Sequence, residues 1–204
     1  MINQAEQRFV FIDTETGGTD PHRHSLLSIG VVVWDKTDGI IAQKEFFIKS
    51  TRYYVTKEAQ KINKFDRKSH NAVAKEPKET INELIAFLRN YFPENIGFPV
   101  VGHNIQFDIN FLKEFFKKNG RSFNNYFAHR SIDTYSIFKV MSMAGLIDKN
   151  LNSSADAFSY FNIKVQKRHS ALYDCIATVE LFEKLLSLLE KTIRNSNVAN
   201  YYTV

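Results

Sequence analysis

Residues 8–18, RFVFIDTETGG, decide the fold of this 204-residue chain. Phe9 to Ile12 are all apolar and either aromatic or β-branched, which predicts a buried central strand. Asp13 and Glu15 follow two residues apart, so both side chains point to one face of that strand. Like charges this close are costly unless a cation binds them, and carboxylate oxygens suit Mg²⁺ or Mn²⁺. The alternative is a solvated strand end, so the rest of the chain has to supply further ligands.

The composition fits one globular domain over residues 1–204, with a core over about 8–190 and a polar, basic tail after it. The formal net charge of +5 mildly favours a polyanionic partner such as nucleic acid. The single Cys175 excludes an intrachain disulfide and a multi-cysteine zinc site, and agrees with a reducing cytoplasm. Met1 to Arg8 is polar and no apolar run reaches about 18 residues, so we expect a cytoplasmic protein without a membrane segment.

The first half of the chain predicts a three-stranded antiparallel meander. Two further apolar runs, residues 26–34 and 40–48, flank the turn DKTDG at residues 35–39, which is a good hairpin signal. A short helix is predicted over residues 56–63, and the polar stretch 64–75 is predicted to be a loop.

The second half alternates helical and strand patterns. Apolar residues recur at helical spacing over residues 78–92, 106–118 and 169–194. Short strands are predicted at residues 98–104 and 129–133. This order favours crossover connections between parallel strands, so we predict an α/β domain with a mixed sheet.

Two more acids and a histidine occur at helix starts. Asp108 lies in the first turn of one long helix and Asp174 about one turn into another, where acids gain from the helix dipole. His169 lies on the loop that enters the second helix. Singly, Asp108 reads as a helix-terminal charge and His169 as a helix-entry or core residue. Together with Asp13 and Glu15, they can hold two divalent ions and leave a titratable base.

Three blocks of the sequence resemble, in order and residue type, the three exonuclease motifs of the DEDDh (DnaQ-like) 3′–5′ exonuclease family. They are FIDTETGG at 11–18, VGHNIQFDINFL at 101–112 and RHSALYDCIATVELF at 168–182. This family includes ribonuclease T, oligoribonuclease and the epsilon subunit of DNA polymerase III. The resemblance covers about residues 8–185 and implies a ribonuclease H-like fold, with a five-stranded mixed sheet flanked by helices. It also implies hydrolysis of single-stranded 3′ ends to nucleoside 5′-monophosphates by a two-metal mechanism.

The resemblance assigns five catalytic residues. It implies that Asp13, Glu15 and Asp174 bind the Mg²⁺ or Mn²⁺ ion that activates the attacking water. Asp13 also binds the second ion, at the leaving oxygen, with Asp108 acting partly through water. His169 is the implied general base, since an imidazole can accept a proton near neutral pH.

The resemblance also implies a binding site for the terminal nucleotide. The loop backbone around Thr14, Thr16 and Gly17 would surround this nucleotide, and Thr19 would act as a wedge against it. At Ser28 the chain departs from the family pattern, in which many members have an acid.

Three residues of the second block carry implied substrate contacts. His103 and Asn104 would orient the scissile end of the strand. Phe107 is placed to stack on a base, and the alternative is that it is a core residue of its helix.

A non-catalytic nucleic-acid-binding or scaffold module with the same fold is the rival hypothesis from another class. Such degenerate relatives usually lose an acid or the histidine, and this chain retains all five residues. Within the enzyme class, RNA trimming and DNA proofreading or repair stay open. A polymerase or repair partner and a homodimer stay open as well.

Overall fold

The computed structural model describes residues 8–93, 97–149 and 151–195. It has a five-stranded mixed sheet in the order β3-β2-β1-β4-β5, which confirms the predicted fold class. The strands are β1 Arg8–Thr16, β2 Leu26–Asp35, β3 Gly39–Phe47, β4 Phe98–Gly102 and β5 Phe127–Asp133. The helices are α1 Lys57–Asn63, α2 Arg67–Asn71, α3 Pro77–Arg89, α4 Gln106–Lys118, α5 Thr134–Met143, α6 Ser154–Tyr160 and α7 Ala171–Asn195.

Two segments that the sequence predicts to be polar lie largely outside these ranges. Most of the polar tail predicted after residue 190 lies outside the described residues, which end with α7 at Asn195. The polar start of the chain, up to residue 7, lies outside them as well. Among the helices of the described ranges, none is both long enough and apolar enough to cross a bilayer.

The central strand β1 pairs on both sides, as its apolar sequence predicts. It is antiparallel to β2 and parallel to β4, while β3 extends the meander and β5 lies parallel to β4. The meander and the crossover connections predicted from sequence are therefore both confirmed. The parallel pairing with β4 covers Val10 and Phe11, whereas the end of β1 at Asp13 and Glu15 pairs with β2.

Alternating residues of β1 face different helices. Val10 and Ile12 belong to the core formed with α3 and α4. Phe11 faces the other side, where its ring centroid lies 5.4 Å from that of Phe182 on α7. Side chains alternate between the two faces of a strand, so Asp13 and Glu15 point to the same face as Phe11. This is the face on which α7 packs.

Gly30 allows α7 to lie directly on the sheet. It pairs with Asp13 across the β1–β2 ladder, and a Cβ atom at this position would overlap the backbone of Ala171. The first turn of α7 thus approaches β2 more closely than a residue with a side chain would permit in place of Gly30. This contact brings Asp174 towards the end of β1.

The stretch 64–75, predicted as a loop, contains the short helix α2. The Asp66 side chain caps this helix by accepting a hydrogen bond from the Ser69 backbone N–H at 2.8 Å. None of its five residues is buried, so no apolar periodicity marks it in the sequence. The preceding helix α1 begins after Thr56, the predicted cap, which accepts a hydrogen bond from the Ala59 N–H.

Candidate active site

Three of the predicted catalytic residues meet at the end of β1. Glu15 lies on β1, Asp174 in the first turn of α7, and His169 on the loop that leads into that helix. A ligand atom of each lies within 4.8 Å of those of the other two, so the group is compact enough to hold a metal ion. Residues about 150 positions apart in sequence are thus adjacent in space.

Asp108 joins this group from the opposite face of the sheet. The Thr14 Oγ1 donates a buried hydrogen bond of 2.6 Å to Asp108 Oδ1, which fixes the first turn of α4 against β1. Asn104 makes the turn before this helix with φ = 55°, and its N–H donates to Asp133 Oδ1 at 2.9 Å. The acid is only 5% exposed, as expected for a group held for interaction with its neighbours rather than with water.

The crowding of these acids raises their pKa values. Burial, followed by repulsion from the other carboxylates, raises the pKa of Asp13 well above its usual range. The same causes raise the pKa of Glu15 to about 8. Burial also raises the pKa of Asp108, although the hydrogen bond from Thr14 opposes this. Buried, mutually repelling carboxylate oxygens with an adjacent imidazole are a donor set that fits hard divalent cations.

Both carboxylate oxygens of Asp174 already have partners. Oδ1 accepts a hydrogen bond from Arg168 Nη1, and Oδ2 accepts one from the backbone N–H of His169, each at 2.9 Å. His169 has a left-handed backbone with φ = 62°, which turns the chain into α7. Burial raises the pKa of Asp174, and the charge of Arg168 opposes this rise.

Glu45 is a carboxylate of this site that the sequence did not predict. It lies opposite Gly30 on β3 and accepts hydrogen bonds from Ser28 Oγ at 2.9 Å and Ser170 Oγ at 3.2 Å. Glu45 on β3 therefore contacts Ser28 on β2, the position at which many family members have an acid. The available signal was the hairpin register, which places Asp13, Gly30 and Glu45 in one row across three strands.

A cleft of about 440 Å³ opens beside Glu15. It contains four of the predicted substrate-binding residues: Thr14, Thr16, Thr19 and Phe107. Ile62 of α1 is 53% exposed and contributes an apolar surface to the same cleft. Phe107 also packs against the core, with its ring 5.0 Å from that of Phe111. Phe107 therefore packs against the core and is also exposed to the cleft.

Gly17 has a structural explanation in addition to the predicted substrate contact. Its N–H donates to Ser25 O and its carbonyl accepts from Thr56 N–H, both at 2.7 Å. A Cβ at this position would overlap the carbonyl oxygen of Tyr54. The backbone of Gly17 is thus committed to the loops on either side, and its N–H is not free to bind a phosphate.

His103 and Asn104 contact the start of α5 rather than the cleft. The His103 Nδ1 lies 3.0 Å from Thr134 Oγ1, and its ring stacks on Phe138 at 5.6 Å. Burial lowers the pKa of His103, so this imidazole is neutral near neutral pH. Neither residue lines the cleft beside Glu15, and their predicted role at the scissile end stays a prediction.

The raised pKa of Glu15 predicts an unusual pH dependence of stability. Between its ordinary value of 4.5 and about 8, the folded state holds a proton that the unfolded state has lost. The metal-free protein should therefore become less stable as pH rises through this window, by up to about 1.4 kcal/mol per pH unit for each such group. Melting temperatures in EDTA, recorded from pH 5 to pH 8, measure this slope.

Saturating Mg²⁺ or Mn²⁺ is the matched condition for that experiment. A cation bound to the carboxylates removes their repulsion and stabilises the folded state by mass action, so the fall in melting temperature should disappear. A melting temperature that stays level or rises in EDTA across the same window contradicts the prediction.

A five-stranded mixed sheet with acids at the end of its central strand is the arrangement that the resemblance to 3′–5′ exonucleases predicts. The family model RNase_T, described as exonuclease, matches residues 10–182. The chain therefore belongs to the RNase_T family of exonucleases, the DnaQ-like class that the sequence motifs resemble.

Relatives span most of the chain. It is 28% identical to ribonuclease T of Wigglesworthia glossinidia brevipalpis over 190 residues, covering 89% of this chain and 86% of the relative. It is 26% identical to the DNA polymerase III subunit epsilon of Aquifex aeolicus over 203 residues, covering 99% and 90%. The fold is similar to that of E. coli exonuclease I in a complex with a dT13 oligonucleotide, with a TM-score of 0.74 at 15% identity. That match covers 93% of this chain but only 43% of the exonuclease I chain.

Proposed function

We propose that this chain is a metal-dependent 3′–5′ exonuclease that releases nucleoside 5′-monophosphates from single-stranded nucleic acid. The observation that carries the proposal is the approach of Glu15, His169 and Asp174 to within 4.8 Å beside a cleft of about 440 Å³. The proposal treats residues 1–204 as one exonuclease domain in the cytoplasm.

The proposed metal ligands are Asp13, Glu15, Asp108 and Asp174. Two divalent ions, Mg²⁺ or Mn²⁺, would supply charge stabilisation to the attacking and leaving oxygens of an in-line displacement. The chain contributes fixed carboxylates, because the β1 ladder, the Thr14 hydrogen bond and the N–H of His169 hold three of them in place. This rigidity avoids reorganisation of the site during the reaction.

His169 is the proposed general base. Water attacks the phosphorus, the bond to the 3′-oxygen of the preceding nucleotide breaks, and His169 accepts the proton that the water loses. Its left-handed backbone turns this residue towards Glu15 and Asp174, so its ring lies beside the carboxylates rather than within α7. The product is a nucleoside 5′-monophosphate and a strand that is shorter by one residue.

The cleft beside Glu15 is the proposed site for the terminal nucleotide. The exposed Ile62 and the partly buried Phe107 give it two apolar surfaces, against which a base or sugar packs without sequence specificity. Thr14, Thr16 and Thr19 add hydroxyl groups to the same cleft. The dT13 complex of exonuclease I and the polymerase subunit among the relatives support a single-stranded substrate and a polymerase as a partner.

The test uses matched single-stranded DNA and RNA oligonucleotides labelled at their 5′ ends. We expect stepwise shortening from the 3′ end with Mg²⁺ or Mn²⁺ and none in excess EDTA, with mononucleotides as the product. The relative rates on the two strands measure the sugar preference. Metal-loaded protein that leaves both strands intact contradicts the proposed function.

A further inference from the structure

A positive side chain, Arg168, contacts one of the carboxylates of the site. Arg168 precedes His169 on the loop that enters α7, and its Nη1 donates a hydrogen bond of 2.9 Å to Asp174 Oδ1. The same guanidinium group lies over the ring of Phe158, with its Cζ 5.4 Å from the ring centroid. The side chain is 36% exposed, whereas that of Asp174 is 13% exposed. Arg168 thus reaches the site from its solvent-facing rim.

The bond to Arg168 conflicts with metal binding by Asp174. A divalent ion on Oδ1 would share this oxygen with the Arg168 guanidinium, and two positive charges this close repel each other, whereas Oδ2 accepts only from the neutral N–H of His169. The bond to Oδ2 comes from the backbone of His169, which the entry into α7 fixes. The bond to Oδ1 comes from a long, partly exposed side chain, so Arg168 is the partner that can leave.

We propose that Arg168 occupies Asp174 Oδ1 in the metal-free protein and, once a divalent ion takes this oxygen, turns to a non-bridging oxygen of the scissile phosphate. The proposal rests on the proposed function, since it adds a substrate contact to that site. The guanidinium group is suited to both partners, because its planar set of N–H donors matches carboxylate and phosphate oxygens alike. A phosphate beside Asp174 would lie within reach of this side chain, because the guanidinium already contacts Oδ1 of that residue.

A purely structural role for Arg168 predicts the opposite result for metal binding. If Arg168 served only to orient Asp174, removing it would weaken the binding of the ion. If Arg168 competes with the ion, removing it strengthens that binding while hydrolysis becomes slower. The two roles therefore differ in the sign of the change in metal affinity.

The experiment measures both quantities on Arg168→Gln and Arg168→Lys. Calorimetric titration with Mn²⁺ should show about two- to fivefold tighter binding by Arg168→Gln, since it lacks the competing ion pair. Its kcat/KM on a single-stranded oligonucleotide at saturating Mn²⁺ should fall about 10- to 100-fold, as expected for a lost charge-assisted hydrogen bond. Arg168→Lys keeps the charge without the planar fork, so its metal affinity should stay near that of the wild type and its kcat/KM should be intermediate.

Lys164→Ala is the matched control, because it removes one positive charge from the same loop. Lys164 is exposed, and within the described ranges its side chain makes no hydrogen bond or ion pair. Both its metal affinity and its kcat/KM should match the wild type. Unchanged or weaker Mn²⁺ binding by Arg168→Gln overturns the proposal, as does an unchanged kcat/KM. Failure of the proposed function can be distinguished from failure of this proposal, because in the first case the wild type itself is inactive.

Discussion

Asp13→Asn should give a protein that is more stable and has lost its activity. The substitution preserves the shape of the side chain but removes a half-buried carboxyl group, whose pKa is raised by burial and by three neighbouring carboxylates. We expect the melting temperature in EDTA at pH 8 to rise by several degrees, since about 1 kcal/mol corresponds to about 2–4 °C in a chain of this size. Hydrolysis should fall by more than about a thousandfold, because Asp13 is the proposed ligand shared by both ions.

The two readouts are the thermal melt and the rate of mononucleotide release. Asp38→Asn is the matched control, since Asp38 is an exposed acid in the β2–β3 turn. It should change neither the melting temperature nor the rate. If Asp13→Asn is less stable than the wild type in EDTA, the carboxylates do not repel one another as the structure indicates. If it retains hydrolysis, Asp13 is not a metal ligand.

His169→Asn should slow hydrolysis while leaving metal binding intact. Asparagine tolerates the left-handed backbone that His169 adopts, so the loop and its N–H bond to Asp174 should persist. Loss of a general base costs about 10²- to 10⁴-fold in rate. The rate at saturating Mn²⁺ and the calorimetric affinity for Mn²⁺ measure the two effects separately.

His129→Asn provides the control for the loss of an imidazole, because His129 is exposed on β5. Its rate should equal that of the wild type. The compact group formed by Glu15, His169 and Asp174 also permits a second role for the histidine, as a metal ligand. A loss of Mn²⁺ affinity as large as the loss of rate would identify His169 as a ligand and contradict its role as the base.

The sequence predicted the elements whose formation depends on a local pattern of apolar residues. The apolar run before Asp13 could only be buried, and the long apolar periodicities before and after residue 150 correspond to α4 and α7. The convergence of Asp13, Asp108 and Asp174 followed from their positions at strand and helix ends, which meet at one edge of such a sheet. These predictions needed no knowledge of which side chains touch.

Most of the features that the sequence did not predict depend on contacts between distant segments. The role of Glu45 required the β2–β3 register, and the hydrogen bonds of Gly17 required the positions of two separate loops. Helix α2 is too short and too polar for periodicity to reveal it, since one capping aspartate defines its start. The pairing of Arg168 with Asp174 depends on the angle at which the loop enters α7, which no local pattern specifies.

The close contact at Gly30 has a consequence for the order in which the enzyme matures. Asp13 and Glu15 are synthesised about 150 residues before His169 and Asp174. Until α7 lies against Gly30, Glu15 lacks the two neighbours with which it could hold a metal ion. A nascent chain is therefore unable to hold a metal ion between Glu15, His169 and Asp174 until α7 has been made.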